Sequence, residues 1–461
     1  MVGVQSLSVG ARARFGLMVV CIGNLVGPLD SSVNVAFPAI TAAFGIAITD
    51  IQWIVISYII AQSSLTIVFG KIGDLFGHRR VFQVGMAACA IAHLLCGLAP
   101  TYEALVGWRI FQGVAVGLAM ACGPALATLL FPPADKRRII AIYVLLIGVG
   151  SALGPIAGGV LIETIGWPGV FWFRVPIALL ALLLSIGLPE PDVARALRPK
   201  FDIGGAILLT MALTCLILFI GMARRPDVAI WVGLALSIGF AAATWLFIRH
   251  ETRVEQPILD VRHFNDPFFS GMQFASVAIY FACFSILLLL PYLLAAQHST
   301  LSLGLTLAVF PIGTIVASIA GGGIAQRMSA VTLMRGGLVL ASIGLLLLSY
   351  ASIVPSLLTI GATLFAGGVG LGIFQVGYAD ATTSALPVAD RGVAGSLVSV
   401  TRLVGFVVGA AGITWIFEGL RGSEASVVGI QRTFGALGLG LLVFGGCFWR
   451  LSAGRAGVIQ R

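Results

Sequence analysis

Charge is what this chain has least of. Only 10% of its 461 residues are Asp, Glu, Lys or Arg, whereas soluble domains carry about a quarter, so most of the chain has no water-facing surface to build. Acidic residues are scarcer still, 18 against 27 Lys and Arg. There is no His-Glu-x-x-His stretch, no pair of carboxylates within an apolar run and no Cys/His cluster, which removes the ligand sets and nucleophile–base pairs of an embedded enzyme. The cysteines, Cys21, Cys89, Cys96, Cys122, Cys215, Cys283 and Cys447, all lie inside apolar stretches without metal-ligand or redox spacing and read as packing residues. Basic residues come in ones to threes beside apolar runs, so the net charge of +9 does not describe a nucleic-acid surface. No metal or organic cofactor is expected.

What is present is hydrocarbon. The chain is 59% hydrophobic with a mean hydropathy of +1.06, and apolar runs of roughly 20 residues, the length a helix needs to cross a bilayer, follow one another with short polar breaks. Backbone N–H groups in lipid need internal partners, and the short alternating segments of a barrel are absent, so the spans are helical. The reading is an all-α membrane protein with 14 transmembrane helices. They cover Phe15–Ile40, Ile51–Phe69, Val81–Ala99, Ala104–Leu130, Ile139–Leu161, Val170–Leu188, Ile203–Met222, Ala229–Ile248, Phe268–Ala296, Leu303–Ala325, Val331–Ile353, Leu357–Ala379, Val393–Phe417 and Phe434–Trp449. The first apolar run is too long for a signal peptide and is kept as a span.

With a cytoplasmic N-terminus, the inside segments collect most of the basic residues, including Arg79, Arg80, Lys136, Arg137, Arg138, Arg195 and Arg198, while the outside keeps Arg224, Arg225, Arg421 and Arg432. That asymmetry orients the protein in an inner membrane with both termini cytoplasmic, and a wrong helix count would scramble it. Charged linkers at 189–202 and 249–266 bracket the seventh and eighth spans. They divide the chain into an N-terminal six-helix bundle (1–188), linkers with an inserted hairpin (189–266) and a C-terminal six-helix bundle (267–461). The basic, glycine-bearing loops at 70–80 and 322–335 hold equivalent places in the two bundles, as an internal duplication would require.

Between the second and third spans stands Gly70-Lys71-Ile72-Gly73-Asp74-Leu75-Phe76-Gly77-His78-Arg79-Arg80. Its glycines permit a tight turn, Asp74 can accept from helix N-termini and the arginines stay among headgroups. This stretch resembles the cytoplasmic-loop signature of the major facilitator superfamily, with Leu75 where a basic residue is usual. The run Leu29-Asp30-Ser31-Ser32-Val33-Asn34-Val35-Ala36-Phe37-Pro38 is similar to the first-span signature of that superfamily's fourteen-helix drug:proton antiporter branch. Arg109-Ile110-Phe111-Gln112-Gly113 resembles its fourth-span motif, associated with proton coupling, and Gly154-Pro155-x-x-Gly158-Gly159 its antiporter motif in the fifth. Gln52-Trp53, Phe201-Asp202-Ile203-Gly204-Gly205 and Gln256-Pro257-Ile258-Leu259-Asp260 echo the same branch, so the resemblance covers nearly the whole chain.

The residues themselves carry a physical argument. A carboxylate in hydrocarbon costs roughly 2.5 kcal/mol or more and marks a site by default. At about 1.5 Å per residue, Asp30 lies roughly 8 Å below the outer edge of the bilayer, with Asn34 one turn further on its face, and Arg109 lies at about the same depth. Matched depth permits a pair without showing one, because Arg109 can instead snorkel outward. Arg174 stands where relatives usually have asparagine, only about 6 Å from the edge, and is expected to snorkel. Gly150, Gly154 and Gly158 recur every four residues as a smooth face, while Pro155 frees the carbonyl of Ser151. His93 reads as hydrogen-bonded structure, Arg402 as turned into the bundle, and Asp380 as interfacial. Asn34, Tyr58, Gln62, Gln112, Gln273, Tyr280 and Gln375 are candidate cavity lining.

The resemblance implies a proton-coupled exporter of amphipathic organic compounds, driven by the proton gradient and working by alternating access, with Asp30 and Arg109 coupling protons. The loop residues Gly70, Asp74, Gly77, Arg79 and Arg80 would then latch one conformer, and Gly150, Gly154, Pro155, Gly158 and Gly159 would serve as the antiporter packing motif. A monomer in the lipid bilayer is expected, with a periplasmic adaptor left open. The competing readings are a transporter of one metabolite or lipid, a membrane sensor and an embedded enzyme.

Overall fold

The computed structural model describes residues 9–129, 131, 136–188, 202–222, 229–254, 261–324, 327–353, 356–385, 391–422 and 425–452; within them some side chains, Lys71 and Asp74 included, lie outside the described set. The described elements are all helical, and the chain forms two compact units, Met1–Phe201 and Asp202–Arg461.

In the first unit the opening span is broken. Helix α1 (Val9–Leu25) gives way to a single 3-10 turn, Pro28–Ser31, before α2 (Ser32–Phe44). Proline supplies no N–H, and the turn is closed by Asp30 N donating to Gly27 O at 2.9 Å. Then come α3 (Gln52–Phe76), α4 (His78–Gly97), α5 (Tyr102–Leu129) and α6 (Lys136–Ile165). The sixth span is also split, into α7 (Gly169–Trp172) and α8 (Arg174–Ser185).

Helix α3 runs seven residues beyond the expected end at Phe69, so most of the predicted loop is helix. Gly70 and Gly73 lie within it, and the turn falls on Gly77 alone, at φ +94°. A side chain at that dihedral would clash with its own backbone. The basic residues that follow face different surroundings: Arg80 is exposed, whereas Arg79 donates to Ile186 O at 3.1 Å, just past the last turn of α8. Cationic side chains stabilise such carbonyls.

The second unit opens with the hairpin α9 (Ile203–Met222) and α10 (Ile230–Glu251), followed by α11 (Pro267–Ala295), α12 (Thr300–Ile324), α13 (Ala330–Ala351), α14 (Leu357–Ala385), α15 (Arg391–Arg421) and α16 (Ser426–Ser452). Taking the split first and sixth spans as one each, these are the fourteen expected spans. Among the described residues, eleven are long and apolar enough to cross a bilayer on length and composition; three further apolar stretches, Gln52–Gln62, Gly169–Ser185 and Ile203–Leu216, are shorter. In α10 only 11% of the most apolar window is buried, and Trp231, Leu234, Ile238 and Trp245 stand exposed, a surface that suits lipid and not water. Helix α14 continues past the expected Ala379, so the exposed Asp380 sits inside a helix.

Candidate functional site

The break in the first span is where the polar chemistry gathers. Gly154 and Gly158 of α6 press against it. A Cβ on Gly158 would meet Ser32 O at 2.8 Å, and one on Gly154 would collide with Ser31 Oγ. Pro155 leaves the Ser151 carbonyl without its helical donor, and Ser31 Oγ donates to that carbonyl at 3.1 Å. The glycine face therefore brings two backbones close, and the freed carbonyl becomes a tie between the spans. Gly150 meets Leu25 and Pro28 on the same side, and Gly159 is buried.

Asp30, in the turn, is paired twice. Arg109 donates to both its oxygens, Nη1 to Oδ1 at 2.7 Å and Nη2 to Oδ2 at 2.8 Å, the fork geometry in which guanidinium and carboxylate bind best. Arg174 Nη1 donates to Oδ1 at 2.6 Å. The side chains of Arg109 and Arg174 are 1% and 0% exposed, and that of Asp30 is 13% exposed. Of the two alternatives for Arg109, the structure takes the pair. The expectation that Arg174 snorkels is overturned: its long stem folds inward, and Nε and Nη2 both donate to Val170 O. The depth estimates for Asp30, Arg109 and Arg174 differed by only about 2 Å, and that agreement was the unused signal.

Gln112 completes the group. Its Nε2 donates to Asp30 Oδ1 at 3.0 Å, while its Oε1 accepts from Arg109 Nη1 at 2.9 Å and from Cys96 Sγ at 3.5 Å. The other amide hydrogen points to His93 Nε2 at 3.3 Å, and His93 Nδ1 bonds to the Cys89 carbonyl. A carbonyl only accepts, so Nδ1 holds the proton and Nε2 is the acceptor, which makes His93 a neutral imidazole. His93 is thus structural in its bonds yet linked to Asp30 through one amide. Tyr58 lies under the Arg109 guanidinium, 4.2 Å from the ring centroid, and Arg109 Nε donates to Ile54 O at 2.9 Å. Phe171 faces both guanidiniums, at 5.9 and 5.5 Å.

The other candidate residues fall elsewhere. Asn34 is half-buried, and Gln62 contacts Met120 Sδ at 3.2 Å. Gln273, Tyr280 and Gln375 belong to the second unit. There Tyr378 Oη donates to Gln273 Oε1 and meets Thr401 Oγ1 at 2.9 Å, and Thr401 meets Ser276 Oγ at 2.9 Å. Gln273 Nε2 is buried with no partner among the described residues. Tyr280 lies against Gln375 and within electrostatic range of Arg402. Arg402, expected to turn into the bundle, is exposed on α15. Among the described residues no group of three His, Cys, Asp or Glu is placed to hold a metal.

Residues 19–410 match the family model of the Major Facilitator Superfamily. The chain is 28% identical to the riboflavin transporter RibZ of Clostridioides difficile over 86% of each chain. It is 30% identical to the tetracenomycin C resistance and export protein of Streptomyces glaucescens, covering 86% of this chain and 74% of that one, and 28% identical to multidrug resistance protein 3 of Bacillus subtilis, covering 87% and 78%. A crystal structure of the peptide transporter POT in complex with sulfate superposes with a TM-score of 0.72 over 98% of this chain and 99% of that one, at 14% identity.

Proposed function

This chain belongs to the Major Facilitator Superfamily and is a multi-pass membrane transporter, and we propose that it exports amphipathic organic compounds across a bacterial-type inner membrane in exchange for protons. The supporting observation is Asp30: a carboxylate at a helix break, tied to α5 by Arg109 and to α8 by Arg174. Relatives named for drug resistance and export favour the outward direction.

The geometry suggests how a proton acts there. Oδ1 already accepts from three donors, whereas Oδ2 accepts from Arg109 Nη2 alone, so a proton lands on Oδ2. The proton removes the negative charge that holds Arg109 Nη2, so a charge-assisted hydrogen bond becomes a weaker one to a neutral carboxyl. Loading Asp30 therefore loosens the tie between the first span and α5, and unloading restores it. Alternating access would couple that exchange to substrate movement, with both termini cytoplasmic. In the same reading the protein acts as a monomer divided at residues 188/189 and 266/267, and Gly70, Asp74, Gly77, Arg79 and Arg80 latch one conformer.

Proton movement in everted vesicles on adding candidate compounds tests the proposal. Wild type should move protons as compound is transported, and Asp30→Asn should not, while still eluting as a folded protein. Unchanged proton-linked flux in Asp30→Asn rejects the assignment. Proton-coupled transport of one metabolite is the second reading, favoured by the riboflavin-transporter relative; flux of a single compound with no response to chemically diverse amphiphiles would select it.

A further inference from the structure

Arg174 gives the site one more positive charge than Asp30 can balance. Among the described residues, the charged and titratable groups facing the Asp30 carboxylate and Arg174 are Arg109 from α5, Tyr58 from α3, and Cys89, His93 and Cys96 from α4. His93 is neutral by its hydrogen bonds, Tyr58 and the thiols are neutral in their ordinary forms, and a guanidinium is a cation in proteins. With Asp30 ionised, the group carries a net charge of +1 with both cations at no more than 1% exposure.

A buried charge without a counter-charge is strongly unfavourable, and the remaining donors are in place to receive one. A guanidinium has five N–H groups. Three of Arg174's are used, on Asp30 Oδ1 and twice on Val170 O. One N–H on each terminal nitrogen is left without a partner among the described residues. Asp30, the most exposed member of the triad, lies beside them.

Building on the transport reading above, we infer that Arg174 is a specificity-determining residue that selects organic compounds bearing an acidic group, such as a carboxylate, sulfonate or phenolate, and disfavours cations. An anionic group reaching Arg174 brings the site to zero net charge. A cation brings it to +2.

Two dyes on one xanthene ring system separate the charge from the shape: fluorescein, anionic in mildly alkaline buffer, and rhodamine 6G, a cation. Their binding to purified full-length protein is followed by fluorescence anisotropy. Wild type should bind fluorescein at least about tenfold more tightly than rhodamine 6G, the equivalent of one 1.4 kcal/mol interaction. Arg174→Gln leaves the Asp30–Arg109 pair with both its hydrogen bonds and a neutral sum, so it should fold and bring the two affinities within about threefold. Arg174→Lys should restore the preference, which a merely structural role for the guanidinium would not do. Equal affinity for both dyes in wild type, no binding of fluorescein, or a preference that survives in Arg174→Gln overturns the inference. Because binding is read without proton flux, these outcomes leave the proton-exchange proposal to its own test.

Discussion

The opening span of the first unit and the span that follows the hairpin of the second solve the same burial problem with different chemistry. In the first unit, α1 and α2 are separated by the turn that carries Asp30, and two guanidiniums converge on it. In the second, α11 is one helix of 29 residues whose buried polar groups include Gln273 and Ser276, tied to Tyr378 and Thr401. Each is lined by a glycine-bearing helix: α6 through Gly154 and Gly158, and α15 through Gly405 and Gly409. A neutral network fits along an unbroken helix because a threonine hydroxyl can also bond its own backbone, as Thr401 does to Leu397 O. An ion needs several outside donors at one point, and the break lets Asp30 collect four hydrogen bonds from three side chains.

The sharpest way to break that comparison is to neutralise one partner in each network. Asp30→Asn leaves two buried guanidiniums without an anion, and removing one partner of a buried ion pair costs about 3–5 kcal/mol. Tyr378→Phe removes one hydroxyl from a neutral group, for about 1–3 kcal/mol. Thermal unfolding in detergent should rank them in that order. Equal losses would mean that the charged triad is no more than another hydrogen-bonded cluster.

How much of this was legible in the sequence follows the same division. Fourteen spans came from hydropathy, and the Asp30–Arg109 pair was permitted by the 1.5 Å rise per residue. Hydropathy is blind to a one-turn break inside an apolar run, so Phe15–Ile40 read as a single helix although Pro28 interrupts it. Depth alone does not give rotation about a helix axis, so it sends Arg174 to the headgroups and leaves Gln112 among the cavity-lining residues. The helical path of α3 through Gly70 and Gly73 shows tertiary contacts overriding the turn preference of glycine.

A middle-sized effect should come from the glycine faces. On Gly158 a Cβ would stand 2.8 Å from Ser32 O, which is backbone, while on Gly409 the nearest atom, Phe281 O, is at 3.3 Å. Overpacking of this kind costs about 1–3 kcal/mol. Gly158→Ala should sit at the upper end and also slow transport by pushing on the Asp30 turn; Gly409→Ala should sit at or below the lower end with transport intact. A larger effect from Gly409→Ala would reverse the ranking of these two contacts.

The smallest contrast lies at the helix ends, where the two units do agree. Arg79 at the start of α4 caps the end of α8 through Ile186 O, and Arg335 near the start of α13 reaches the end of α16 through Trp449 O and Ser452 Oγ. The repeated placement fits an internal duplication more directly than the loop composition did, because the same basic position closes the last helix of each unit. The partners differ in number. Arg79 makes one such bond at the surface, whereas Arg335 also donates through Nε to Ser452 Oγ at 3.0 Å and stacks 4.8 Å from the Trp449 ring. Arg79→Ala should therefore lower unfolding stability by about 0.3–1 kcal/mol, the range of a charge at a helix C-terminus, and Arg335→Ala by more, since it also leaves the Ser452 hydroxyl and the indole face uncovered. If the two losses are equal, capping of the carbonyls accounts for both, and the extra contacts of Arg335 add nothing to the second unit.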